Sequence, residues 1–200
     1  PVTNGCSWNK CTFCEMYTAP QKKFRARDEA EVLDEIRRVG DSYIVQRIFL
    51  ADGDAMVLPT RRLLRILEAI RENIPSVERV TSYCLPRNIK RKSVEELSEL
   101  REAGLQMLYV GAESGDDEVL ARVNKGETFA STADALNKAR EAGLQRSVMI
   151  LNGLGGKALS AQHAANSAKL MNLTQPEFVS TLVVNFPQGL ERFNAQYPDF

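Results

Sequence analysis

The chain is short of several things. Its 200 residues include one histidine and four cysteines, and 26 Lys and Arg are offset by 26 Asp and Glu. Zero net charge removes any global attraction to nucleic acid or to an anionic membrane and leaves only local patches. No run of 18 apolar residues exists, so no membrane-crossing helix is expected, and no secretory leader is visible. No stripe of basic and aromatic residues indicates nucleic acid; the run "KKFRAR" at 22–27 is read as a solvated entry to the first helix. The sole histidine, His163, falls within an alanine-rich helical segment and is read as packed or solvated. The chain opens abruptly on "PVTNG", like the end of a strand, so further residues are expected upstream.

What is present is a regular alternation. Strands are expected at 45–51, 77–83, 106–112, 146–151 and 178–184, with one more ending at Val2–Thr3. Their continuous apolar character predicts burial on both faces, as in a parallel sheet. Between them, helical periodicity runs over 28–39, with Gly40 as its C-terminal cap, and over 60–74, behind Pro59. Ser93 and Glu96 form a capping box before the next helix. Ser114 and Asp117 suggest another for a short helix at 116–123, and two more helices cover 129–142 and 159–172. The hexapeptide "REAGLQ" occurs at 101–106 and again at 140–145, each copy ending a helix, turning at glycine and starting a strand. The pattern predicts an α/β fold with parallel strands, doubly wound or a complete or partial barrel. In each of these the functional face lies at the C-terminal strand ends. "ADGDA" (51–55), "SYCLPRN" (82–88), "GAESG" (111–115), "NGLGG" (152–156) and "NFPQG" (185–189) all fall there.

The cysteines are the informative element. Cys6, Cys11 and Cys14 are spaced C-x4-C-x2-C, and Cys84 stands apart at the end of the third strand. In a reducing cytoplasm, where this chain is expected to reside, such a cluster suits a metal better than a disulfide. A closed zinc site takes four ligands, usually paired C-x-x-C motifs or histidines, and only one C-x-x-C is present. A [4Fe–4S] cluster usually takes four cysteines, so three leave one iron open to a small molecule. Two further readings stand beside this one: a non-catalytic metal site for electron transfer or structure, with Cys84 as fourth ligand, and a phosphate-binding barrel using the loop after strand five.

The segments "GCSWNKCTFC", "ADGDA", "GAESGDDEVLARVNKGET" and "NGLGG" together resemble the radical S-adenosylmethionine (radical SAM) superfamily, nearest to its oxygen-independent coproporphyrinogen oxidase and MiaB-like branch. The resemblance spans about residues 2–187, and the spacing departs from the commonest family motif, C-x3-C-x2-C, by one added residue. It implies a (βα)6 partial TIM-type barrel, with residues 1–200 as one core domain lacking upstream residues and an accessory C-terminal region. It implies that Cys6, Cys11 and Cys14 ligate a [4Fe–4S] cluster whose fourth iron chelates S-adenosylmethionine, and that reductive cleavage gives a 5′-deoxyadenosyl radical that takes hydrogen from a substrate. It places Phe13 by the adenine, Asp52, Gly53 and Asp54 at the methionine amino group, and Glu113 and Ser114 at the ribose or methionine. Arg122 would pair with the methionine carboxylate, and Asn152 opens the Gly-rich loop beside the adenine; Lys125 is read as part of a solvated helix face. The implied partners are a substrate and a reduced flavodoxin- or ferredoxin-type electron donor. The lack of a second cysteine cluster argues against a methylthiotransferase of the auxiliary-cluster kind.

Overall fold

The computed structural model describes residues 1–19, 23–187, 189–198 and 200, so Lys22 of the basic run, Gln188 of the "NFPQG" segment and Asp199 lie outside the described residues. The elements begin with β1 (Thr3–Asn4), β2 (Arg25–Ala26) and α1 (Glu29–Ser42). Then follow β3 (Arg47–Leu50), α2 (Thr60–Asn73), β4 (Arg79–Cys84), α3 (Pro86–Lys90), α4 (Val94–Glu102) and β5 (Leu105–Glu113). The last are α5 (Asp117–Arg122), α6 (Phe129–Glu141), β6 (Gln145–Asn152), α7 (Ser160–Thr174), β7 (Phe178–Val183) and α8 (Glu191–Asn194).

Strands β3 to β7 form one parallel sheet in strict sequence order. That order decides between the expected alternatives. A doubly wound sheet reverses direction at a switch point, whereas every strand here is added on the same side of the last. The result is a partial barrel. The strand expected at the start of the chain does not join it: β1 pairs antiparallel with β2 in a separate two-stranded sheet. It still lies against the end of β3, where Asp52 N donates to Thr3 O at 3.2 Å and the Val2 amide donates to Ala51 O. Two residues are too few to show a strand's periodicity, which is why only its end was legible.

Burial on both faces is also corrected. The helix-covered face is closed: Leu108, Val110, Ala112, Val148 and Ile150 pack against Leu63, Leu67, Leu97, Leu100 and Leu136 in the main core. Each such leucine contributes roughly 1.5–3 kcal/mol by leaving water. The opposite, concave face is open, because the sheet does not close on itself. There Phe49, Tyr83 and Tyr109 meet edge to face or tilted, with ring centroids 4.7 to 6.1 Å apart, and Phe49 and Tyr83 remain exposed. Strand β7 is exposed along its whole length.

Local signals mostly resolve as expected. The Ser93–Glu96 capping box is present, and Thr128 with Ser131 makes another that starts α6. Both "REAGLQ" copies turn at a glycine with positive φ, 117° at Gly104 and 75° at Gly143. Gly40, however, caps nothing. The helix continues through it to Ser42, and a Cβ at Gly40 would come within 2.1 Å of Asn73 O, so this glycine marks where α1 and α2 touch. Asp116, not Ser114, caps α5, accepting from Val119 N at 3.0 Å. At the opposite end of the barrel from the cysteines, the fully buried Arg146 ties α6 and the end of α7 to Glu177 through bonds to Leu136 O, Thr174 O and the carboxylate.

Candidate functional site

The cysteine loop follows β1 and lies across the C-terminal ends of the strands. Gly5, at φ 73°, turns the chain and donates to Asp52 Oδ2 at 3.2 Å. The Ser7 hydroxyl donates to Asp54. Trp8 Nε1 reaches Asn124 O at 2.8 Å, Thr12 N reaches Val123 O at 3.0 Å, and Arg192 donates to Cys14 O at 2.5 Å. Phe13 packs with Val119, Val123, Leu154, Phe193 and Tyr197 in a second apolar cluster. The loop thus meets the segments after β3, β5, β6 and β7, and Arg87, after β4, stacks on Trp8.

Cys6, Cys11 and Cys14 are free thiols, each partly buried. Burial pushes the Cys11 thiol up to about 11; the nearby Lys125 ammonium opposes that, while Glu113 and the other two cysteines add to it. Burial also raises Cys14. Lys125 is 4% exposed, and its Nζ lies 3.1 Å from Glu113 Oε1. Burial would lower its pKa, but the charges of Glu113 and Cys11 outweigh this and hold it up. The pair depends on Gly111, where a Cβ would come within 2.2 Å of the Glu113 carboxylate, and on a backbone irregularity that sets Glu113 at φ 66°. Glu113, Lys125 and the three thiols therefore form one electrostatic group.

The remaining expected residues divide. Asp52 is held by Gly5 and by the Tyr17 hydroxyl, which donates to Oδ1 at 2.6 Å; burial and that carboxylate raise the Tyr17 pKa. Gly53 passes under the Tyr17 ring, where a Cβ would come within 2.7 Å of the hydroxyl. Asp54 is fully buried, bound by Ser7 and by Asn88 Nδ2 at 2.6 Å, and burial raises its carboxyl pKa. It is joined to the loop and the core rather than offered at the surface. Ser114 is buried as well, 2.7 Å from His163 Nδ1 and accepting from Asp116 N. His163 is packed, 4% exposed. Arg122 binds Glu118 Oε1 at 2.7 Å and lies over the Tyr197 ring at 4.8 Å. Asn152 is exposed at the end of β6.

The rival reading of Cys84 finds no support, and the reading of Lys125 is overturned. Cys84 does not face the cysteine loop. Its register puts it on the helix-covered side with Val80 and Ser82, 3% exposed in the main core, where Sγ donates to Leu85 O at 3.3 Å. Lys125 is not solvated; a six-residue helix is too short for periodicity to reveal which face its flank buries. Tyr17, Arg87 and Asn88 carried no spacing signal at all.

The donor set fits an iron–sulfur cluster held through three thiolates. Soft sulfur ligands suit such clusters, and the three thiols share one tethered loop beside a buried cation. Among the described residues, no three His, Cys, Asp or Glu side chains converge as they would around a single metal ion.

Residues 1–170 match the model of the Radical SAM superfamily. The heme chaperone HemW of Bacillus subtilis is 22% identical over 180 residues, covering 86% of this chain and 47% of that protein. The anaerobic magnesium-protoporphyrin IX monomethyl ester cyclase of Cereibacter sphaeroides is 26% identical over 153 residues, covering 76% of this chain and 24% of that protein. The chain thus spans about half or less of the length of these relatives. Among solved structures, coproporphyrinogen III oxidase (HemN) from Escherichia coli superposes with a TM-score of 0.67 at 21% identity, over 94% of this chain and 43% of that one. Methylornithine synthase (PylB) superposes at 0.69 and 18% identity, over 95% and 54%. These likenesses agree with the partial barrel. The match to the family model starts at the first residue, takes in the whole cysteine loop and ends inside α7: the chain belongs to the radical SAM superfamily.

Proposed function

We propose that the chain is the catalytic core of a radical SAM enzyme that binds a [4Fe–4S] cluster through Cys6, Cys11 and Cys14. The observation that carries this reading is the separation of the thiols: three are partly buried on one loop at the C-terminal strand ends, and Cys84 is packed in the main core on the helix-covered side of the sheet. When bound, the cluster and S-adenosylmethionine would supply a one-electron cleavage of the sulfonium C–S bond to methionine and a 5′-deoxyadenosyl radical, which would take hydrogen from a substrate.

The chain's own residues do the rest. Glu113 and Lys125 hold opposite charges at the loop's edge, where a zwitterionic amino acid group has a partner for each end. Asp52 and Gly53 border the same space, and Tyr17 fixes the Asp52 carboxylate. Arg122, paired with Glu118 on α5, and Asn152, exposed at the end of β6, are the further candidate contacts. Asp54 and Ser114 act through others: Asp54 holds Ser7 of the loop, and Ser114 joins the end of β5 to His163 of α7. Phe13 closes the loop over the second apolar cluster. The electron is supplied by a reduced flavodoxin- or ferredoxin-type donor.

The test is anaerobic reconstitution with iron and sulfide, reduction with dithionite, and chromatographic measurement of 5′-deoxyadenosine from S-adenosylmethionine. The chain is expected to form it slowly without its substrate. Each of Cys6→Ala, Cys11→Ala and Cys14→Ala abolishes formation, and Cys84→Ala leaves most of it per folded molecule. Loss of the cluster in Cys84→Ala as complete as in Cys11→Ala would mean a closed four-cysteine site, and the reading would fail.

A further inference from the structure

Four residues, Ser7 to Lys10, separate Cys6 from Cys11, one more than in the commonest motif of the family. A longer span has more conformations to lose when its ends are fixed as ligands. The added length is tied down here. Asn9 takes a left-handed conformation, φ 45°, and its Nδ2 donates to Tyr17 O at 2.8 Å. Trp8 swings out of the loop into a seat made by other elements. The Arg87 guanidinium lies 3.9 Å from the centre of its ring and the Lys10 ammonium 4.9 Å, while Nε1 donates to Asn124 O at 2.8 Å.

The seat is itself fixed. Arg87 Nε donates to Glu127 Oε1 at 2.8 Å and its Nη2 to Gly126 O at 2.5 Å. Glu127 is held on its other oxygen by the Ser131 hydroxyl at 2.7 Å. Gly126, at φ 72°, leaves room that no other residue would: a Cβ there would come within 2.3 Å of the Trp8 ring. Core packing does not account for this, since Trp8 is only half-buried and belongs to neither apolar cluster.

We propose that Trp8 and its Arg87 seat are a clamp that takes up the added length of the Cys6–Cys11 span and presents both thiols as ligands before any cluster is bound. Trp8 and Arg87 are positioning residues. The proposal rests on the reading of the three cysteines as cluster ligands.

The first measurement needs no cluster: alkylation of the metal-free chain by iodoacetamide, followed at each cysteine by peptide mass spectrometry. Trp8→Ala and Arg87→Ala should each speed alkylation of Cys6 and Cys11 about fivefold, the shift that losing one cation–π contact allows. Cys84 should stay protected, which reports that the barrel is folded. The double variant should react no faster than the single ones, because both remove the same clamp. Trp8→Phe and Arg87→Lys should recover most of the protection. The second measurement is iron bound per chain after reconstitution at limiting iron, which should fall at least twofold in both alanine variants. Unchanged alkylation of Cys6 and Cys11, or unchanged iron binding, overturns the proposal. If Trp8→Ala also unprotects Cys84, Arg87→Ala decides, and it overturns the proposal if Cys6 and Cys11 react as in the parent chain. Failure of the parent chain itself to take up iron and sulfide would instead overturn the cluster reading, while the alkylation result would still stand.

Discussion

Replacing Lys125 by Met keeps most of the side chain's apolar stem and removes its charge. Lys125 is 4% exposed beside Glu113, whose side chain is 13% exposed, with 3.1 Å between Nζ and Oε1. The substitution leaves the Glu113 carboxylate in a space it shares with Cys11 and without its cation. Breaking a buried ion pair by removing one partner costs about 3–5 kcal/mol. Because Glu113 keeps some access to water at the mouth, the expected loss is at the lower end, about 3 kcal/mol. Glu113→Gln should cost less, about 1–2 kcal/mol, since the amide oxygen can still accept from the ammonium. The double variant carries neither charge, and its cost should fall short of the sum by about 1–3 kcal/mol. Urea unfolding of the metal-free chain measures all three, with a constant slope as the sign that the same surface unfolds. Single effects that add within about 0.5 kcal/mol would show that the two groups are not coupled, and the electrostatic group built on them would dissolve.

Two other outcomes follow from the site. Asp54→Ala should lower stability by about 2 kcal/mol, because it strips the fully buried Asn88 amide of its acceptor and the Ser7 hydroxyl of its anchor; thermal unfolding reads this, and an unchanged melting temperature would contradict it. His163, the one histidine, is buried beside Ser114 and its pKa is held below 6.5 by burial, so the unfolded chain takes up a proton near pH 6.5 that the folded chain refuses. Stability contributed by the neutral ring is therefore present above pH 6.5 and is lost as pH falls from there toward the folded value, which gives stability a positive slope against pH in that window. His163→Gln should flatten that slope in urea titrations between pH 7.5 and 5.5; an equal slope in both proteins would refute the assignment.

The parts of the fold legible beforehand were those written in local pattern. Apolar runs marked β3 to β7, Ser93 and Glu96 marked the start of α4, and two copies of one hexapeptide marked two helix-to-strand turns. The misreadings share a cause. Gly40 resembles a helix end, yet its lack of a side chain serves a helix thirty residues away in sequence. Ser114 resembles a cap, but where the chain leaves β5 decides that Asp116 does the capping. Cys84 follows a strand as Cys6 does, and only the register of the pairing tells which side of the sheet it faces. The spacing of Cys6, Cys11 and Cys14 pointed to the site; the buried charge of Lys125 and the roles of Trp8, Tyr17 and Asn88 did not, because each depends on a contact between distant segments.

Trp8 is the chain's only tryptophan. Light absorbed selectively by indole is therefore re-emitted from one place, the loop that carries the cysteines, with a guanidinium on its ring and a carbonyl at its nitrogen. The protein carries its own optical gauge. Emission should dim as an absorbing iron–sulfur group fills the loop and should shift to the red when the indole leaves its seat for water, so occupancy and order of the site can be followed in real time without any label.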